Sequence, residues 1–250
     1  MLSTLLLILQ FQLAFPMPPG VEVQWATPAH FDGSTPFCRG YYDAVRTELN
    51  GDGWWTDYPR TDRNFIFRAR ELTKLNMGAA VVVRMDSPLL TRCPMLYMED
   101  VGTIGLQESD INGLRAYLDR GGFLWVDDFW GTAAWDHWEM QFRKVYPNAI
   151  WRAMPSTHPI RSMLYSTPEI PQIPATGFWP TTTSERGADS QYVNFRGMWD
   201  QRDRLIAVAT HNTDIADAFD EEYQDQAFWL EFGSKGRAVG INILLYALTH

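Results

Sequence analysis

The sequence predicts a single α/β domain built on a doubly wound, mostly parallel sheet with helices on both faces. Short apolar runs bounded by Gly, Pro and acidic residues alternate with segments whose apolar residues recur every three or four positions, which is the βαβ signature. The runs AAVVVRM (79–85), FLWVDD (123–128) and LIAVAT (205–210) are apolar on successive residues, as strands covered on both faces read. At 250 residues, 46% hydrophobic and 14% aromatic, the chain can fill one large core.

Residues 1–20 read as a signal peptide. No charge precedes Glu22, and Leu2 to Phe15 is almost wholly apolar, although it lacks a basic start and is shorter than a bilayer span. We therefore expect an exported protein, periplasmic or extracellular, whose mature chain of 21–250 forms one domain without a transmembrane span. Val21, Val23 and Trp25 alternate with polar residues and predict a strand. Residues 27–41, rich in Pro, Gly and small polar side chains, predict a long loop, and 41–49 a short helix ended by GDGWW (51–55).

Asp62 is placed to cap a helix running to about Leu75, with Phe65, Ala69 and Leu72 on one face. The strand AAVVVRM follows, then PMLYM (94–98), whose proline suits a strand's beginning. Residues 108–120 carry Ile111, Leu114 and Leu118 at helical spacing, and Gly121 and Gly122 supply the stop. After FLWVDD, the stripe Trp135, Trp138, Phe142 and Val145 predicts a helix ended by Pro147. AIWRAM (149–154) predicts another strand. A Pro- and Thr-rich excursion spans 155–200, LIAVAT returns to the sheet, and GINILLYALTH (240–250) closes the domain as a helix.

The net charge of −9 and the absence of a Lys/Arg run exclude a phosphate-tracking surface, so nucleic acid is not an expected partner. Cys38 and Cys93 leave one disulfide open, with two free structural cysteines the commoner outcome for a core this large. No CxxC or HExxH pair and no glycine-rich phosphate loop follows any strand, so no cofactor is expected.

In an open parallel sheet, ligands bind beyond the carboxyl ends of the strands. The candidate ligand-binding residues are therefore Glu99 and Asp100 after one strand, Asp127, Asp128 and Trp130 after the next, and His211, Asn212 and Asp214 after the last. His158, in a loop beside Pro159, completes the set. Together these side chains suit a divalent cation or an acid/base pair. The plainer reading is that the short carboxylates cap helices and turns and that the histidines are hydrogen-bonded loop residues. The turn after FLWVDD holds no Ser or Cys nucleophile.

Several stretches in order, LRAYL (114–118), GGFLWVDDFWG (121–131), THPI (157–160), PQIP (171–174), THNTDIAD (210–217) and GINILLYALTH, resemble the bacterial domain-of-unknown-function 4159 family from about Val21 to His250. The resemblance implies a flavodoxin-like sandwich of the class I glutamine amidotransferase-like superfamily, in a family with some members joined to membrane-anchored segments. It does not imply amidotransferase activity, because the elbow cysteine and any Cys–His–Glu arrangement are missing. Two functions follow as expectations. One is an envelope domain binding a small ligand or a protein partner in the crevice and at its tryptophan rim. The other is a metal-assisted hydrolase acting on carbohydrate through Asp127, Asp128 and His211.

Overall fold

A computed structural model describes residues 20–220 and 225–250. The proposed leader, 1–20, therefore lies outside the described residues except for its last position. In chain order the strands are β1 (Thr35–Tyr41), β2 (Asp43–Ala44), β3 (Met77–Arg84), β4 (Leu96–Glu99), β5 (Ile104–Gly105), β6 (Leu124–Asp127), β7 (Arg152–Ala153), β8 (Asn194–Trp199) and β9 (Leu205–His211). The α-helices are α1 (Arg60–Thr73), α2 (Glu108–Asp119), α3 (Gly131–Val145), α4 (Asp217–Asp220) and α5 (Gln226–Thr249).

Seven strands form one sheet in the order β3-β1-β4-β6-β9-β8-β7, in which β3, β1, β4, β6 and β9 run parallel. β8 and β7 are antiparallel additions at one edge. Side chains alternate across the central strands and build a core on each face. Leu96, Met98, Leu124 and Val126 pack with Leu114, Trp138 and Phe142 of α2 and α3. Tyr97 and Trp125 point the other way, into Phe65 of α1, Phe219 of α4 and Val239 of α5. The doubly wound arrangement is thus present, with β6 buried at the centre.

Several local expectations are corrected. Residues 27–41 are not one long loop, because β1 lies second in the sheet between β3 and β4. Its sequence hides it, since Arg39 occupies a wholly buried position. That charge is held by Asp62 and Glu99, with Nη1 also donating to the carbonyls of Trp54 and Thr56 at 3.1 Å. Val21–Trp25 is not a full strand. It lies along the outer edge of β3 through a single bridge, Trp25 to Val82, and covers an edge that would otherwise be open.

Residues 41–49 form no helix, because β2 pairs with β5 and the Tyr42 hydroxyl is bound to the carbonyls of Glu99 and Asp100. AIWRAM contributes only the two exposed residues of β7. The 155–200 excursion ends in β8, and the closing helix begins at Gln226 rather than near Gly240.

Asp62 does not cap α1. It sits in the first turn and spends its carboxylate on Arg39. Cys38 of β1 and Cys93, just before β4, are joined in a disulfide rather than free, with Cα atoms 5.9 Å apart. The bridge ties together neighbouring strand entries separated by 55 residues in sequence.

Candidate acidic cation site

The parallel strands end on one side of the sheet, and register places Glu99 opposite Asp127. The next residue of each, Asp100 and Asp128, has a left-handed backbone, φ 49° and 50°, which Asp tolerates better than most residues. The strand thus stops and the following carboxylate swings out of the sheet. Beyond it opens a cavity of about 210 Å³. Asp57, Asp100, Asp128, Trp130, Asp214 and Asp217 are among the residues that line it.

Of the nine expected residues, four meet there: Asp100, Asp128, Trp130 and Asp214. Asp128 is 8% exposed, and its Oδ1 accepts from Trp130 Nε1 at 2.9 Å. Asp214 is 3% exposed, and its Oδ1 accepts from the Asp217 amide at 3.0 Å, capping the short α4. Among the described residues no donor reaches Oδ2 of either carboxylate. One oxygen each of Asp57, Asp128 and Asp214 lies within 4.8 Å of the other two. Ligands on opposite sides of a calcium ion, each at about 2.4 Å, stand about that far apart.

The electrostatics match an unmet positive charge. Burial pushes the Asp128 carboxyl well above the usual range, and the charges of Glu185, Asp100 and Asp57 push it further. Burial does the same to Asp214, with Asp217, Asp128 and Asp57 adding to it. Asp100 is likewise raised by burial and by Glu48, against the pull of its bond from the Gly53 amide at 2.6 Å. Carboxylates so placed must share protons or share a cation.

The other five expected residues are spent elsewhere. Asp127 is fully buried. Its Oδ1 accepts from the Thr210 hydroxyl, and its Oδ2 from the Ala216 amide at 3.1 Å, so it clasps β9 to the loop that follows. Glu99 is enclosed by Arg39 and the Tyr97 hydroxyl. His211 Nε2 donates to the Gly131 carbonyl at 3.0 Å and Nδ1 accepts from Asn194, while its ring packs on Phe129 and Trp135. Burial pulls its pKa down to about 4, so it is a neutral packing residue.

Asn212 braces the start of α3 by accepting from the Gly131 amide at 2.8 Å, and Asp189 holds the Thr132 amide there. The expected capping by Asp127 or Asp128 is thereby replaced. His158 caps a short 3-10 turn and packs against Trp199 and Tyr246, away from the cavity lining. The set Asp127, Asp128 and His211 therefore does not converge.

Sequence reasoning missed Glu48, Asp52, Asp57 and Glu185, which also belong to the acidic lining. A signal was present in GDGWWTD (51–57), where small residues flank acids. A Cβ on Gly51 would meet the Asp100 carboxylate at 2.4 Å, and Gly53 adopts φ 87° to present its amide to the same group. These glycines let the loop lie directly on Asp100.

Residues 43–248 match the family model described as a domain of unknown function, DUF4159. The chain belongs to the DUF4159 family. The matched segment contains every residue that lines the acidic cavity, so the cavity is part of the DUF4159 domain. A search of the curated proteins finds no match to this DUF4159 chain.

Proposed function

We propose that this DUF4159 chain is an exported binding domain that holds a hard divalent cation, calcium or magnesium, between Asp57, Asp128 and Asp214 and uses it to capture an anionic or polyol group of a ligand or partner. The observation that carries the reading is that Asp128 and Asp214, each with one carboxylate oxygen that no donor among the described residues reaches, line one cavity with Asp57, an oxygen of each lying within 4.8 Å of the other two. An all-oxygen set selects hard cations, and the cavity leaves room for water and one ligand group beside the ion. The chain's own residues orient the site: Trp130 fixes one oxygen of Asp128, and the Asp217 amide fixes one of Asp214.

Binding is favoured over carbohydrate hydrolysis because Asp127 and His211 are committed to internal bonds, which removes two of the three groups that hydrolysis needed. Export is supported by the uncharged apolar leader and by the Cys38–Cys93 disulfide, which persists in oxidising compartments. The doubly wound sheet supports kinship with the class I glutamine amidotransferase-like superfamily as a shape alone, since Asp128 and Phe129 follow β6 in place of a nucleophile.

Terbium luminescence tests the site, because Trp130 is bonded to Asp128 and lies close enough to sensitise a bound lanthanide. We expect saturable emission that calcium displaces and that the Asp128→Asn/Asp214→Asn double variant loses. Emission that does not saturate, or that the double variant retains, contradicts the proposal.

A further inference from the structure

A second and larger cavity, of about 750 Å³, opens at the opposite end of the sheet, where β6 and β9 begin and β8 ends. Its chemistry is the reverse of the acidic site. The floor is apolar, made by Ala149, Met198 and Ile206, all buried. Arg120, Arg152 and Arg202 stand around it, and among the described residues none of the three has an acidic partner.

The two acids in the lining are already committed. Asp119 accepts from the Tyr146 hydroxyl at 2.6 Å. Asp200 accepts from the Arg202 and Arg204 amides and is paired with the Arg204 guanidinium at 3.2 Å. Arg204 in turn donates to the carbonyls of Gly122 and Leu118, so it belongs to the framework rather than to a ligand. The Arg152 guanidinium is held 5.5 Å from the centroid of the Trp199 ring. A guanidinium positioned on an aromatic ring keeps its donor edge free, and that fork matches a carboxylate or a phosphate.

Three exposed arginines with no acidic partner among the described residues, on a chain of net charge −9, stand beside an apolar floor and a tryptophan ring, so a molecule that is both anionic and apolar can meet both halves of this surface. The volume falls in the range that encloses a small molecule. We infer that this cavity binds a small ligand with an oxyanion group, carboxylate or phosphate, on a flat apolar body: Arg152 and Arg202 take the oxyanion, and Trp199 and the Met198 and Ile206 floor take the body. This site is independent of the cation site.

The test uses the intact protein and three probes that share one ring, naphthalene-2-carboxylate, naphthalene-2-phosphonate and neutral 2-naphthol, followed by calorimetry. At least one anion is expected to bind ten-fold or more tightly than naphthol, and which one does so separates the carboxylate source from the phosphate source. Its affinity should fall as salt is raised, which checks the charge without any variant. The Arg152→Gln/Arg202→Gln variant should weaken it at least ten-fold with an unchanged thermal midpoint, whereas Asp128→Asn should leave it unaltered. Saturable binding of naphthol as tight as that of both anions, no saturable binding of either anion, or unchanged affinity in the arginine variant overturns the inference.

Discussion

Asp127 and Asp128 are neighbours at the end of β6, both almost wholly buried, yet they belong to two regions of opposite character. The layer behind the strand, with Asp127, Thr210, His211 and Asn212, has its side-chain bonding met from within: hydroxyl to carboxylate, imidazole to carbonyl, amide to backbone. The layer in front differs: Asp128 and Asp214 each keep one carboxylate oxygen that no donor among the described residues reaches, and both line a cavity with Asp57. Burial is common to both and decides nothing. What separates framework from site is where the carboxylate oxygens are spent: both oxygens of Asp127 are bonded within the fold, whereas Asp128 and Asp214 each keep one for the cavity they line.

The largest effect expected from this contrast is on the framework side. Asp127→Ala strips a buried clasp of its acceptor and leaves the Ala216 amide unpaired, while the Thr210 hydroxyl falls back on the Val126 carbonyl, which costs about 3 kcal/mol. Urea denaturation reads this directly. A cost under about 1 kcal/mol would mean that the clasp is dispensable and the division misplaced.

His211 sharpens the contrast through pH. Its folded pKa, about 4, lies below the ordinary 6.5, so its contribution to stability is present above pH 6.5 and is lost as pH falls towards 4. The shift corresponds to roughly 3 kcal/mol. His211→Asn should remove that part of the pH dependence whatever its own baseline stability. An unchanged slope between pH 6.5 and 4 would contradict a buried, neutral His211.

For the carboxyls the sign is reversed, Asp127 included, since burial lifts it to about 7. Burial raises the carboxyls of Asp128, Asp214 and Asp100, so their contribution is complete below about pH 4 and is lost as pH rises towards the raised values. Calcium at one fixed concentration, a hundred times its dissociation constant at pH 8, should restore about 2.7 kcal/mol there. That gain should be larger at pH 8 than at pH 5, where protons compete for the same oxygens. Calorimetric melts with and without calcium at the two pH values check this. A gain independent of pH would argue against these carboxylates as the ligands.

The fold was legible wherever an element spoke for itself. FLWVDD, AAVVVRM and the Trp138–Phe142 stripe were continuous apolar signals, and each became the strand or helix expected of it. β1 was not legible, because its centre is an arginine whose partners, Asp62 and Glu99, lie far along the chain. Asp128 and Asp214, two of the three proposed cation ligands, could be found from strand ends alone, since the rule names where parallel strands stop. Asp57 could not, because it arrives on a loop whose docking depends on Gly51 and Gly53 packing against Asp100. Nor could sequence separate Asp127 from Asp128, whose difference arises from the left-handed turn between them and from β9 alongside.

The most direct test of the central claim is calcium titration calorimetry on Asp128→Asn beside the wild type, with thermal melts of both in the absence of cation. Asn keeps the acceptor for Trp130 Nε1 and removes one charge from a crowded cluster. The account predicts one calcium site in the wild type, affinity at least ten-fold weaker in the variant, and a cation-free melting point equal to or above that of the wild type. Equal calcium affinity in both proteins, or a destabilised variant with unchanged binding, would show that Asp128 is framework like its neighbour and would contradict the account.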